Sequence, residues 1–208
     1  EETVDSALSR MCKPGEMVIC RSNAPLLSLA YSLVTQGIPV MIRGRNIGQG
    51  LADIVRKLKP ATIDDLIKKM KLYRDSNFQR LVEREASESS IQSHLDSCDC
   101  IEILCLSHDN IFEMLESIEK LFAESDDEEK VILSSIHRAK GSETDTVYIL
   151  HPHLLGRRGK NAEATIQEVN LAYVALTRAK RRLVLAGPPS PANIRVGSSP
   201  SRLNGKVP

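Results

Sequence analysis

The sequence contains no tryptophan and few other aromatic residues, with three Phe and four Tyr among 208 residues. A hydrophobic content of 41% still supports a core, which must therefore consist mainly of aliphatic side chains. No apolar run approaches the roughly 20 residues that a membrane-spanning helix needs. The opening segment EETVDSALSR also lacks the basic and apolar regions of a signal peptide. We therefore expect a cytoplasmic chain with no membrane partner.

Five cysteines form no C-x-x-C pair, and their odd number argues against a complete disulfide framework. Cys20 lies in an apolar strand pattern, where a buried reduced thiol is the common state. Cys98 and Cys100 are too close in sequence for ordinary zinc spacing, and the His-Pro-His sequence at 151–153 lacks a third ligand. The sequence therefore predicts reduced thiols and no metal site.

The sequence also lacks the two motifs that hold ATP and magnesium in P-loop proteins. The pattern G-x-x-x-x-G-K-[ST] does not occur, and the glycine-rich stretch 44–50 is not followed by lysine. No apolar strand pattern ends in Asp-Glu. We therefore expect this chain to be unable to hold ATP and Mg²⁺ alone, and we interpret residues 44–50 as a loop.

Charge is distributed unevenly along the chain, although the net charge is only +1. Residues 1–130 hold 16 Lys and Arg against 23 Asp and Glu, whereas residues 131–208 hold 12 against 4. An excess of basic residues in one part of a protein favours binding to a polyanion. A solvated basic face with a flexible tail is the alternative interpretation of the same charges.

Short apolar runs alternate with helical patterns, which predicts an α/β fold with a parallel sheet. Strands are expected at 17–20, 38–42, 131–136, 146–150 and 182–186. Helical patterns at 24–36 and 165–179 lie between strands. The second pattern has its apolar residues on or near one face, namely Ile166, Val169, Tyr173, Val174 and Leu176. Either Ser22 or Asn23 is expected to cap the first of these helices.

A stretch of helical patterns interrupts this alternation and predicts a helical insertion at about 60–128. Thr62 is the expected N-cap of its first helix, and a separate charged helix is expected from Phe78. Residues 1–187 are therefore expected to form one domain that contains the insertion. Residues 188–208 are rich in Pro, Ser and Gly, which favours a flexible C-terminal tail.

Three segments carry polar residues at the ends of the expected elements: VICRSN at 18–23, SSIHRAKGSETDTVYI at 134–149 and EVNLAYVALTRAK at 168–180. Ligands bind at strand ends in open parallel sheets. In order and in residue pattern, the segments resemble motifs IV, V and VI of the UvrD/Rep/PcrA-like superfamily 1 helicases. The resemblance implies a RecA-like sheet of the P-loop NTPase type, without the P-loop itself. It also implies the role of second motor domain in an ATP-dependent DNA helicase.

The resemblance implies a role for particular residues as well. Arg21 and Arg178 match arginines that reach the ATP γ-phosphate and act in catalysis, and Glu143 matches an acid near the nucleotide ribose and phosphates. The positions that match contacts to single-stranded DNA are Ser134, Ser135, His137, Lys140 and Gly141. ATP and Mg²⁺ would be held mainly by an N-terminal RecA-like domain. That domain and single-stranded DNA are therefore the expected partners.

The sequence departs from the helicase pattern at three positions. Cys20 stands where well-known members have an aromatic residue that stacks on adenine, Ser142 replaces leucine, and Asn170 replaces a basic residue. The alternative role for each arginine is a surface salt bridge, for His137 a structural role, and for Glu143 a charge at a helix N-terminus. For the whole chain, the alternatives are a non-catalytic nucleic-acid-binding module and a protein-interaction domain derived from a helicase.

Overall fold

The computed structural model describes residues 4–123, 129–157, 159 and 161–187. The strands in these residues are β1 (Met17–Cys20), β2 (Val40–Ile42), β3 (Val131–Ser135), β4 (Thr144–Leu150) and β5 (Ala179–Ala186). They form one sheet in the order β2-β3-β1-β4-β5, and every neighbouring pair is parallel. The predicted α/β architecture with a parallel sheet is confirmed.

The α-helices in the described residues are α1 (Val4–Met11), α2 (Ala24–Thr35), α3 (Arg45–Leu58), α4 (Ile63–Glu83), α5 (Glu88–Leu106), α6 (Ile111–Leu121) and α7 (Ala162–Leu176). Among them, none is both long enough and apolar enough to cross a membrane. A short 3₁₀ helix covers Pro152–Leu154. The predicted tail at 188–208 falls outside the described residues.

The sheet is covered on both faces, and its central strand β1 is fully buried. Val18 and Cys20 belong to the apolar cluster that also contains α2 and the insertion helices. Met17 and Ile19 point to the other face, where they belong to the apolar cluster that includes α7. Alternate residues of a strand face opposite sides, so four consecutive apolar residues are required here.

The helical insertion is confirmed, but its helices differ from the predicted ones. Thr62 caps α4 as expected, with its hydroxyl accepting a hydrogen bond from the Asp65 amide at 3.2 Å. The separate helix predicted from Phe78 is wrong, because α4 continues through that residue to Glu83. α4 and α5 form an antiparallel pair, and α5 also packs on α2. The insertion is thereby joined to the sheet domain.

The loop predicted at 44–50 is also wrong, since α3 begins at Arg45. Gly44 has a φ of +129°, a backbone conformation that glycine adopts readily, and it ends the preceding loop. Gly48 lies inside the helix where α3 approaches Phe122, and a Cβ there would lie 2.6 Å from the Phe122 Cβ. The glycine at position 48 therefore serves close packing of α3 rather than a turn.

Asn23, one of the two residues predicted to cap α2, occupies the N-cap position, but the predicted side-chain cap is wrong. Asn23 makes no capping hydrogen bond with its own side chain. Instead Asp96, on α5 of the insertion, accepts hydrogen bonds from the Asn23 and Ala24 amides at 2.9 and 3.1 Å. A carboxylate from another helix therefore satisfies the free amides at the start of α2.

The apolar face predicted for α7 is confirmed only in part, since Val174 and Leu176 pack against the core and the other three residues do not. Leu171, Ala172 and Ala175 are buried against the sheet. The large apolar residues Ile166, Val169 and Tyr173 are exposed. α7 is therefore apolar on two sides, and only one of them is covered by the described residues.

Candidate functional site

A first polar cluster follows the carboxyl ends of β1 and β3. Arg21 comes directly after β1, and His137 lies two residues beyond the end of β3. The Arg21 Nη2 donates to the Glu168 Oε1 at 2.8 Å, and its Nε lies 3.3 and 3.4 Å from the two carboxylate oxygens. Both side chains are partly buried. This two-pronged contact to α7 fixes the position of the Arg21 guanidinium.

His137 lies beside this ion pair, and its pKa responds to burial and to the charges of the pair. Partial burial lowers the pKa of His137, and the positive charge of Arg21 lowers it further, while Glu168 acts in the opposite direction. A lowered pKa keeps the imidazole neutral at physiological pH. His137 can therefore offer one hydrogen-bond donor and one acceptor to a ligand.

A cleft of about 250 Å³ opens beside these residues. Its walls come from the turn after β1, from the first turns of α5 and from α7. The polar residues that line it are Arg21, Ser22, Ser89, Gln92, His137, Arg157 and Gln167, together with the carboxylates Glu88 and Glu168. The guanidinium, amide and hydroxyl groups can bind phosphate or base hydrogen-bonding groups, and Glu168 is already paired with Arg21.

The other residues predicted to contact DNA occupy two different environments. Lys140 and Gly141 are exposed in the turn that follows β3, and Gly141 has a φ of +85°. Ser134 is fully buried, and its hydroxyl donates to the Ser135 carbonyl at 3.1 Å. Ser135 is also buried. The structure therefore leaves the turn, and not the two serines, open to a ligand.

A second polar cluster precedes β4 and β5. Glu143 immediately precedes β4, and Arg178 immediately precedes β5. The Thr144 amide donates to the Arg178 carbonyl at 3.3 Å. The Arg178 Nε donates to the Val174 carbonyl at 2.9 Å, and its Nη2 donates to the Thr177 Oγ1 at 3.0 Å. The Arg178 Nη1 is held less closely, 3.9 Å from the Glu143 Oε1.

The structure does not bring Arg21 and Arg178 together. All five strands are parallel, Arg21 follows one of them and Arg178 precedes another. The two arginines therefore lie at opposite edges of the sheet. A single phosphate group that contacts both of them is not compatible with this arrangement. The sequence placed both residues at element ends, and the parallel direction of the strands puts those two ends at opposite edges of the sheet.

Two residues that hold the turn after β1 were not identified from the sequence. Glu168 lies in a recognised segment, yet nothing in its spacing marks it as the partner of Arg21, 147 positions away. Asp96 has no local sequence signal at all. Cys20 is fully buried, and burial raises the pKa of its thiol to about 11. The thiol therefore faces the core and not the cleft.

The sequence profile of the UvrD-like helicase C-terminal domain matches residues 53–187. The chain belongs to this family. A segment of 71 residues is also 44% identical to YjcD of Bacillus subtilis, whose name describes an ATP-dependent DNA helicase. That match covers 30% of this chain and 9% of YjcD, so the chain spans only a small part of this relative.

The family match confirms the resemblance to UvrD-like helicases and the RecA-like fold. The matched range of the UvrD-like domain contains β3, β4, α7 and β5, with Glu143, His137 and Arg178. β1 and Arg21 precede it. Within the described residues, no group of three His, Cys, Asp or Glu side chains is arranged to hold a metal ion.

Proposed function

We propose that this UvrD-like domain is the second motor domain of an ATP-dependent DNA helicase. In this proposal the second cluster faces ATP that a separate P-loop domain holds, and the cleft with the neighbouring turn contacts single-stranded DNA. The observation that carries the proposal is that one helix contacts both clusters. Glu168 of α7 holds Arg21, and the Val174 carbonyl of the same helix holds Arg178.

The ATP side of the proposal rests on how Arg178 is held. Its Nε and Nη2 have short intramolecular partners, whereas Nη1 has only longer contacts, at 3.4 Å to the Ser142 carbonyl and 3.9 Å to Glu143. Nη1 is therefore the guanidinium nitrogen best placed to donate to a phosphate oxygen. A guanidinium fixed in advance stabilises the charge that develops on the phosphoryl oxygens at little reorganisation cost.

The sequence has no P-loop motif, and the described residues hold no cluster of His, Cys, Asp or Glu side chains that could bind Mg²⁺. The fit to ATP is therefore that of a half-site, to which Arg178 contributes positive charge and Glu143 an acceptor. ATP and Mg²⁺ belong to the separate P-loop domain in this proposal. Phosphoryl transfer to water would take place where the two domains meet.

The DNA side rests on the first cluster and the exposed turn. Arg21 is oriented by Glu168, the lowered pKa of His137 favours its neutral form, and Lys140 is exposed. Such groups bind phosphate oxygens without selecting a base sequence. Arg21 therefore has its proposed role here, at the nucleic acid, because the opposite edge of the sheet carries Arg178.

Coupling between the two sides follows from the helix that joins them. Glu168 and Val174 are six residues apart on α7, which corresponds to a rise of about 9 Å. A helix packed on the sheet transmits displacement as a rigid element. When the P-loop domain closes on Arg178, α7 moves and carries the Arg21–Glu168 contact with it. Reopening after hydrolysis returns Arg21 to its earlier position on the DNA.

The test uses the full-length protein with two matched arginine changes. Arg178→Ala should lower DNA-stimulated ATP hydrolysis by about 10³-fold while single-stranded DNA affinity persists. Arg181→Ala is the control, because Arg181 is exposed on β5 and lies 3.6 Å from Asp145 in a surface ion pair. Unchanged ATP hydrolysis by Arg178→Ala would overturn the proposal. DNA binding that never responds to nucleotide would favour the non-catalytic module.

A further inference from the structure

Ser142 is one of the positions at which the sequence departs from the helicase pattern, and in the structure it has a specific partner. Its hydroxyl accepts a hydrogen bond from the Nη1 of Arg43, the residue immediately after β2. Residues 136–143 connect the end of β3 with the start of β4, and they bring Ser142 within reach of this side chain. Leucine, the residue of the helicase pattern, could not accept such a bond.

The partner of the Arg43 guanidinium is uncharged. Arg43 is partly buried, and among the described residues its side chain pairs with a hydroxyl and not with a carboxylate. Two other arginines, Arg56 and Arg74, pair with carboxylates at 3.1 and 2.8 Å. A hydroxyl does not neutralise a guanidinium, so Arg43 keeps its attraction for an anion.

Arg43 and Arg178 contact the same residue. The Arg178 Nη1 donates to the Ser142 carbonyl at 3.4 Å, and it is the nitrogen that the proposed function assigns to a phosphate oxygen. Since the two arginines contact two atoms of one serine, their Nη1 atoms lie at most about 11 Å apart. Glu143 adds one carboxylate to this group, and its side chain is 51% exposed. The two guanidinium groups therefore leave an excess of positive charge around Ser142.

This excess of positive charge suits a ligand that carries several phosphate groups. Guanidinium groups match phosphate oxygens in geometry and can donate two hydrogen bonds to them. The connection that carries Ser142 is itself fixed, because the Ser142 amide donates to the Ala139 carbonyl at 3.0 Å. Both arginines are thus held in place before a ligand arrives, which lowers the entropy cost of binding.

We propose that Arg43 is a second phosphate-binding arginine at the ATP half-site, and that Ser142 positions it near Arg178. This inference rests on the proposed function and adds a ligand-binding residue to it. Arg178 contacts the phosphate that is transferred, and Arg43 contacts another oxygen of the same triphosphate. Ser142 makes no contact with ATP and acts through Arg43.

The first test measures ATP hydrolysis by the full-length protein in the presence of single-stranded DNA. Arg43→Ala should raise KM for ATP by about tenfold, with a smaller fall in kcat, because this contact exists before as well as during phosphoryl transfer. The inhibition constant of inorganic triphosphate should rise by a similar factor. Arg56→Ala is the control, because Arg56 lies in a surface ion pair with Glu119. An unchanged KM for Arg43→Ala, or a loss of DNA affinity in its place, would overturn the proposal.

The second test separates phosphate binding from a structural role of the hydrogen bond between Arg43 and Ser142. Ser142→Ala removes the bond but leaves the charge of Arg43, so it should raise KM for ATP less than Arg43→Ala does. Ser142→Thr keeps the hydroxyl and should retain most of the affinity that Ser142→Ala loses. Equal effects of Ser142→Ala and Arg43→Ala would show that the bond has only a structural role, and the proposal would then be wrong.

Arg178→Ala distinguishes a failure of this inference from a failure of the proposed function. If Arg178→Ala lowers hydrolysis and Arg43→Ala leaves KM unchanged, Arg43 makes no phosphate contact and the proposed function stands. If neither change has an effect, the proposed function fails as well. Should Arg43→Ala not fold, as judged by thermal unfolding, Arg43→Lys decides. Lysine keeps the charge but not the planar pair of donors, so KM should rise by about threefold or more, and an unchanged KM rejects the phosphate contact.

Discussion

The carboxylate of Asp96 holds the start of α2 from 73 residues further along the chain. It accepts hydrogen bonds from the Asn23 amide at 2.9 Å, from the Ala24 amide at 3.1 Å and from the Asn23 Nδ2 at 2.6 Å. Asp96 itself is buried. The insertion thus positions the turn that contains Arg21, and its removal would leave buried amides without partners.

Asp96→Ala should lower the free energy of unfolding by about 2–3 kcal/mol, because it removes both a cap and a buried charge-assisted interaction. Asp96→Asn should cost less, since its carbonyl oxygen can still accept one of the bonds. Urea unfolding of both variants provides the measurement. Asp99→Ala is the control, because Asp99 pairs with Arg74 near the surface and should cost well under 1 kcal/mol. Equal losses for Asp96→Ala and Asp99→Ala would refute the capping role.

Gly48 and Gly50 provide a matched pair on α3. A Cβ at position 48 would lie 2.6 Å from the Phe122 Cβ, whereas a Cβ at position 50 meets no described atom within 4 Å. Gly48→Ala should therefore destabilise the domain by about 1–3 kcal/mol through overpacking. Gly50→Ala should stabilise it by about 0.5–1 kcal/mol, because alanine favours the helix. Thermal unfolding of the two variants should show shifts of opposite sign.

The pKa of His137 should respond to Arg21. Partial burial and Arg21 both lower it from the ordinary value of 6.5, so Arg21→Gln should raise it towards that value. NMR titration of the imidazole protons measures the change, with Arg74→Gln on α4 as the control. Since the folded state binds its proton less readily than the unfolded state, His137 should reduce stability as the pH falls from 6.5 towards its folded pKa. Arg21→Gln should make that loss smaller, and an unchanged titration would contradict the proximity of the two groups.

Lys140 should contribute one phosphate contact to single-stranded DNA. Lys140→Ala should weaken binding of the full-length protein at low salt and reduce the slope of log affinity against log salt by about 1. Lys69→Ala is the control, since Lys69 pairs with Asp65 on α4 at 2.8 Å. An unaltered slope for Lys140→Ala would place the DNA path away from the turn after β3.

The strands and most helices follow from local sequence signals, whereas the two clusters do not. The apolar run at 17–20 predicted β1, and Thr62 predicted the start of α4, because burial and capping act over a few residues. Strand order and direction depend on contacts between distant segments, and the parallel direction of β1 and β5 places Arg21 and Arg178 at opposite edges. The contact between Arg21 and Glu168 likewise depends on how α7 packs.

Glycine and apolar residues misled the sequence interpretation for physical reasons. Glycines suggested a loop at 44–50, but one of them is there to let α3 approach Phe122. Ile166, Val169 and Tyr173 suggested a buried helix face, yet they are exposed opposite the small residues that pack on the sheet. Apolar periodicity indicates that a helix face tends to be buried, but it does not show which part of the protein or which partner buries it.

The cleft lies beside Glu168 of α7, whereas Arg178 follows the C-terminal end of this helix. A small molecule that filled this cleft would disturb the Arg21 contact without occupying the space of ATP. Steady-state inhibition should then lower kcat for ATP hydrolysis at an unchanged KM for ATP, which is the pattern of a non-competitive inhibitor. Such a molecule would not occupy the ATP site, which many ATP-hydrolysing proteins share. It would therefore inhibit this protein selectively, because α7 holds Arg21 and Arg178 at two separate places.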